Sequence, residues 1–349
     1  MLQEKLGREV NEGLQRFLWR QWSQLGLAGE VEFQDRWVID PEALLVFTLL
    51  FGRHDARLFD EVVDWTVRNG RLLSIQRLKN IMDARNDGAV SRTLSALAMV
   101  VDSRDPKSRW SRLAHSFTES EAAPESFFLD LDEKPFAVVG DPDEHFLRTG
   151  YLRSRVHLRG LSQPVPMRPL TNLIFRLRSL FGLGPRAEVL AYLLTNSDGQ
   201  ASVIAQATHY SRTQVQEALG GLVQADAVTA QPRGRRRTFS TDVGRWLRLL
   251  DLPNESLPLW VNWPQVFDGL LDLATLLARL ETQQQSDYLV KSDTLTLSNH
   301  LRQALAYTGL MNPFEKPLGL EESAEHFVDR VRSLIEQLVN GASVAPGKR

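Results

Sequence analysis

The stretch SRTQVQEALGGLVQADAVTAQPRGRRRTFS, Ser211 to Ser240, changes its hydrophobic period part-way along, and that change decides what fold surrounds it. In its first half Val215, Leu219, Leu222 and Val223 fall at i, i+4, i+7 and i+8, the buried stripe of an amphipathic helix. Ser211 and Gln214 form a capping box at its start, and Tyr210 with Val215 supplies the hydrophobic staple. Arg212, Thr213, Gln214, Gln216 and Glu217 are left at the exposed end of that helix. In the second half AVTAQ and RTFS read as two short strands, with Val228, Ala230 and Phe239 facing inward and Pro232-Arg233-Gly234 as the turn.

Upstream, RAEVLAYLLTN reads as a helix burying Val189, Leu190, Leu193 and Leu194, and SDGQ ends it. SVIAQAT is a second short helix with Val203, Ile204 and Ala207 inward, and His209 and Tyr210 make a tight link to Ser211. At the hairpin tip Arg233, Arg235, Arg236 and Arg237 put four positive charges within five positions, an arrangement that repels itself unless an anion compensates. Helix, helix, capped helix and basic hairpin in this order resemble the winged helix-turn-helix domain of bacterial transcriptional regulators of the MarR and ArsR type, over roughly residues 170 to 250. The resemblance implies that the helix from Ser211 is a recognition helix entering the DNA major groove, with Ser211, Arg212, Thr213, Gln214 and Gln216 near base edges or phosphates. It also implies that the four arginines form a wing on the backbone or in a minor groove. It brings no cofactor with it.

The rest of the chain reads as mainly α and multi-domain. Its 349 residues, 43% of them apolar, allow two or three domains. The expected division is an N-terminal helical domain (1–101), an acidic then basic connecting region with short strands (102–165), the winged domain (166–250) and a C-terminal helical region for dimerisation or partner binding (251–349). Asp40-Pro41 starts a helix ahead of ALLVFTLLF, LFDEVVDWTVRNG follows with Leu58, Val62, Trp65 and Val67 apolar, and Ser74 caps IQRLKNIMDA. Residues 40–82 thus form a possible second helix-turn-helix unit, exposing Gln76, Arg77 and Lys79. Trp19, Trp22, Trp37 and Trp65 read as core. Asp102 to Glu125 reads as an exposed connection, SFFLDLD and PFAVV as short strands, and GASVAPGKR as a frayed tail.

Charge is unevenly spread although the formal net charge is only −2. Glu119 to Glu144 holds nine carboxylates and one lysine, whereas Arg148 to Arg186 holds eight arginines and no carboxylate. Within the second run Arg153, Arg155, Arg159, Arg168, Arg176 and Arg178 suggest a secondary basic surface, unless the acidic run pairs with them. The pairs Asp130/Asp132 and Asp141/Asp143 lack an accompanying histidine cluster or phosphate loop, so a metal site is not expected there. The absence of cysteine excludes disulfides, and with no long apolar run or secretory leader it suggests a cytoplasmic protein with no membrane partner. The functional expectation is a sequence-specific binder of double-stranded DNA, a repressor-like transcriptional regulator working as a homodimer and not an enzyme. The alternative is a winged-helix adaptor or antitoxin-like protein whose main partner is another protein. A metal-dependent nucleic-acid enzyme ranks last.

Overall fold

Residues 41–51, PEALLVFTLLF, are apolar apart from Glu42 and Thr48, and a helix of that composition is stable only when surrounded by others. In the computed structural model this helix, α2 (Pro41–Phe51), lies at the centre of the molecule, capped by Asp40, whose carboxylate accepts from the Ala43 amide at 3.1 Å. The structure describes residues 2–27, 35–115, 123–130, 134–234, 236–251, 257–282, 286–306, 310, 312–317 and 324–341. Fifteen α-helices and two small sheets are found among them, and none of these helices is long and apolar enough to cross a membrane.

Around α2 pack α1 (Leu2–Gln24), α4 (Ile75–Arg85) and α5 (Gly88–Arg104) from the N-terminal part, with α3 (Ala56–Asn69) on α5. The C-terminal helices complete the same core: α13 (Trp263–Thr282) lies on α1 and α2, α14 (Asp287–Ala304) on α13, and α15 (Ala324–Asn340) on α1. The ends of the chain therefore share one hydrophobic core, and the boundaries expected at 101 and 251 do not coincide with a break in it. Rings hold its middle together. Phe47 stacks on Phe267 at 4.6 Å, Trp37 meets Trp263 edge-on at 5.4 Å, and Trp22 meets Trp65 at 4.9 Å. The indole N–H of each buried tryptophan needs an acceptor, and Trp22, Trp37, Trp65 and Trp263 find theirs in Thr48 Oγ1, Gln21 Oε1, Leu25 O and Val38 O. Trp19 is only partly buried.

The region from Asp102 to Arg159 departs from its expected form. Asp102 still belongs to α5 and Trp110 is buried ahead of the short α6 (Ser111–Ala114), whereas Ser103 to Lys107 and Arg109 between them are exposed as expected. The SFF stretch contributes only β1 (Glu125–Ser126), paired in parallel with β2 (Tyr151–Leu152), because Phe127 and Phe128 then turn into an aromatic cluster with Phe59 and Phe146. PFAVV forms no strand: Phe136 and Val139 are 44% and 78% exposed, and the segment is tied to its neighbours by an isolated bridge between Pro135 and Leu129 and by the Val139 amide, which donates to Ser154 Oγ at 2.9 Å. The short helix α7 (Glu144–Arg148) follows, started by Asp143.

The 173–250 segment forms α8 (Leu173–Phe181), α9 (Pro185–Thr195), β3 (Gly199–Gln200), α10 (Ala201–Thr208), α11 (Arg212–Gln224), β4 (Thr229–Arg233), β5 (Arg236–Ser240) and α12 (Val243–Leu249). The three strands pair antiparallel in the order β3-β5-β4, with Gly199 opposite Phe239 and Ala230 opposite Phe239 on the other side. Val189, Leu193, Ile204, Val215, Leu219 and Leu222 form a second, smaller core beneath α9, α10 and α11, while Leu190 and Leu194 on the other face of α9 join the main one. Two local expectations fail. Val203, expected inward, is 47% exposed, because Ile204 and Ala205 take the buried face. Pro232, expected in the turn, sits in β4 opposite Arg237, where an edge strand tolerates its missing N–H.

Candidate nucleic-acid interface

The start of α11 is fixed by reciprocal local hydrogen bonds. The Gln214 amide donates to Ser211 Oγ at 3.2 Å, and the Ser211 amide donates to Gln214 Oε1 at 3.1 Å. Tyr210 and Val215 lie in the same buried cluster, as a staple requires. Ser211, Arg212, Thr213 and Gln216 are exposed and Gln214 is half-buried. The cap draws on the side-chain carbonyl of Gln214, so a base could use its Nε2 donor and a remaining lone pair only. Gln216 carries no such obligation.

The β4–β5 hairpin follows α11 in the chain and pairs with β3, which precedes α10. Gly234 at its tip has φ +64°, a left-handed conformation that any other residue except asparagine or aspartate would adopt only with strain. Arg233, Arg236 and Arg237 are exposed, and none of the three forms an ion pair; Arg236 donates to Gln200 Oε1 at 3.3 Å. Arg235 lies outside the described residues. The hairpin and the α11 start thus combine uncompensated guanidinium groups with exposed hydroxyl and amide groups.

Behind them lies a buried charge cluster that the sequence reading missed. Arg178 of α8 grips Glu42 of α2 with both terminal nitrogens, at 2.8 and 2.7 Å, and reaches Glu188 of α9 at 2.7 Å. Arg77 of α4 bonds Asp40 at 2.6 Å and Glu42 at 2.9 Å, and its Nε donates to the Thr208 carbonyl at 2.8 Å. Burial opposes the charged form of Asp40, but Arg77 outweighs it and holds the carboxyl below its ordinary pKa. For Glu188 burial wins and the pKa is raised against the pull of Arg178 and Arg77. Both arginines stay protonated: burial disfavours the cation, and the surrounding carboxylates more than offset it. The sequence did carry a sign, since Glu42 and Glu188 lead directly into the apolar runs ALLVF and VLAYLL, where an ionised side chain survives only if paired.

The link between α10 and α11 sits against this cluster. His209 adopts φ +57°, and Asn80 Nδ2 of α4 donates to its carbonyl at 2.7 Å. Burial, reinforced by Arg77, lowers the His209 pKa to about 4, so its ring is neutral. Burial and nearby Glu188 push Tyr210 up to about 12, and its hydroxyl lies 3.0 Å from Ser74 Oγ.

Arg77, expected on an exposed helix face, is instead 2% exposed, because α4 turns that face toward the Thr208–Tyr210 link; Gln76 is exposed and Lys79 half-buried. The expected secondary basic surface is also largely spent internally. Arg153 is 2% exposed, bonded to Asp60 at 2.6 Å, with its guanidinium 4.7 and 4.9 Å from the Phe128 and Phe146 rings. Arg178 is in the cluster, Arg159 pairs with Glu61, and Arg176 donates to the Leu250 carbonyl. Only Arg155 and Arg168 of the six are exposed without an ion pair. The partners are carboxylates of α2, α3 and α9 and not the acidic run from Glu119 to Glu144. In that run Asp143 caps α7 through His145 and Phe146, Asp130 accepts from the Lys134 amide at 2.9 Å, and Asp132 lies outside the described residues. Comparison with protein-family models, with curated proteins and with solved structures returns no match to this chain.

Proposed function

We propose that the 173–250 unit is a winged helix-turn-helix that binds double-stranded DNA with some sequence preference, and that the protein works as a transcriptional regulator by binding and not by catalysis. The observation that carries this reading is the free charge of the hairpin that follows a helix with a capping box and an exposed start. Phosphates would neutralise Arg233, Arg235, Arg236 and Arg237 and release counterions, supplying affinity. Helix α11 would enter the major groove with Gln216, Arg212 and the free half of Gln214 near base edges. Two copies related by a two-fold axis would read half-sites about one helical turn apart.

The test is duplex binding at several salt concentrations by the parent and by a variant with all four hairpin arginines changed to alanine. The parent should lose affinity steeply with salt, and the variant's slope should be shallower by about 0.9 for each phosphate contact removed. Equal slopes and equal affinities would rule out the hairpin as a DNA contact. A tight complex with another protein that survives high salt, in a chain that binds no duplex, would support the adaptor reading instead.

A further inference from the structure

We propose that Asn80 of α4 and Ser74, the N-cap of that helix, are positioning residues for the recognition helix, holding the link between α10 and α11 from outside the helix-turn-helix. This rests on the DNA-binding reading above. Three consecutive link residues are each held by α4: Thr208 O accepts from Arg77 Nε at 2.8 Å, His209 O accepts from Asn80 Nδ2 at 2.7 Å, and the Tyr210 hydroxyl meets Ser74 Oγ at 3.0 Å. Each contact spans more than a hundred residues of chain, so nothing local to the link requires it.

The link is where such a hold has most leverage. The carbonyls at the end of α10 have no partner within their own helix, and the amide of Asn80 and the guanidinium of Arg77 supply donors, the latter also a positive charge at the negative end of the helix dipole. Tyr210 immediately precedes the N-cap Ser211, so its ring and hydroxyl set the angle at which α11 leaves the link. Asn80 is itself oriented by Gln76, whose Nε2 donates to Asn80 Oδ1 at 2.9 Å. Arg77 is committed to Asp40 and Glu42 as well, which leaves Asn80 and the Ser74–Tyr210 pair as the members that act on the link alone, apart from the cap that Ser74 gives α4.

The test uses the full chain. A preferred duplex is selected with the parent from a randomised pool, and affinities for it and for a scrambled duplex are compared for the parent, Asn80→Ala, Tyr210→Phe and the double variant. Tyr210→Phe removes the hydroxyl and leaves both the buried ring and the Ser74 cap. Each single change should lower the preferred-to-scrambled affinity ratio about fivefold, the worth of one net hydrogen bond. The salt slope should match the parent's, since no phosphate contact is lost. An unchanged ratio, or an equal loss on both duplexes, would mean an ordinary structural role and overturn the proposal. So would a slope shallower by about one, which would make these residues direct phosphate contacts. A parent that enriches no sequence would take down the DNA-reading itself; a parent with a clear preference and variants that keep it would remove only the positioning role.

Discussion

Two arginine-rich segments of this chain have opposite fates. The run from Arg148 to Arg186 reads as the more basic of the two, yet Arg153, Arg159 and Arg178 each meet a carboxylate of a helix distant in sequence. The hairpin arginines meet none among the described residues. The difference lies in where the backbone goes. The first run follows α3, whose Asp60, Glu61 and Asp64 receive Arg153, Arg159 and the Gly160 and Ser162 amides in turn, so it is a strap fastened to an acidic helix. The hairpin ends in the edge strand β4 of the three-stranded sheet, and its described arginines form no ion pair. Guanidinium groups therefore mark a binding surface only when the fold denies them an internal partner.

The largest effect should come from breaking an internal partnership. Arg178→Ala leaves Glu42 and Glu188 buried without their main counter-charge, and removal of one partner of such a pair costs about 3–5 kcal/mol. Urea denaturation of the variant should show that loss, while the four-fold hairpin variant should stay within about 0.5 kcal/mol of the parent. Similar stability for the two variants would erase the distinction drawn between the segments.

Next in size is the response of the joint to acid. His209 has a pKa lowered from 6.5 to about 4, so the unfolded chain takes up its proton at a higher pH than the folded one. Stability from this group is complete above about pH 6.5 and is lost as the pH falls toward 4, in total about 3 kcal/mol for a shift of this size. His209→Asn, which keeps a residue tolerant of the left-handed backbone there, should flatten the fall in stability across that window. A slope unchanged by the substitution would assign the acid sensitivity to another group.

How much of this was legible beforehand follows from the range of the forces involved. The capping box, the stripe Val215, Leu219 and Leu222 and the Asp40 and Ser74 caps are set within a few residues, and they stand where periodicity put them. The fates of Arg77, Arg153 and Arg178 depend on carboxylates 10 to 136 positions away, on other helices, which no local pattern encodes. PFAVV has strand-like composition but no partner strand, so it stays an exposed segment. The order of helices and hairpin was readable; the way α4 and the buried cluster hold them was not.

A smaller effect separates the two halves of the interface itself. Gln216 has both amide groups free, whereas Gln214 has lent its carbonyl to the cap. Gln216→Ala should therefore relax preference at one base position by about 1 kcal/mol or more with stability unchanged, whereas Gln214→Ala should weaken the cap by a similar amount. Selection from a randomised duplex pool, together with thermal melting, distinguishes them. Retained preference in Gln216→Ala would move base reading elsewhere on α11.

The smallest effect belongs to the two strap arginines left over. Arg155 and Arg168 are exposed and without ion pairs, as the hairpin arginines are, so they test whether exposure alone makes a DNA contact. Each is single: their neighbours Arg153 and Arg159 are neutralised by Asp60 and Glu61, so the strap presents isolated charges and no concentrated field. Isolated surface charges at physiological salt are screened within about 8 Å. Changing both to alanine should thus leave the salt slope of duplex binding unaltered and stability within about 0.5 kcal/mol. A slope reduced as much as the hairpin variant's would mean that the duplex also runs along the strap, and that the contrast between the segments is one of degree.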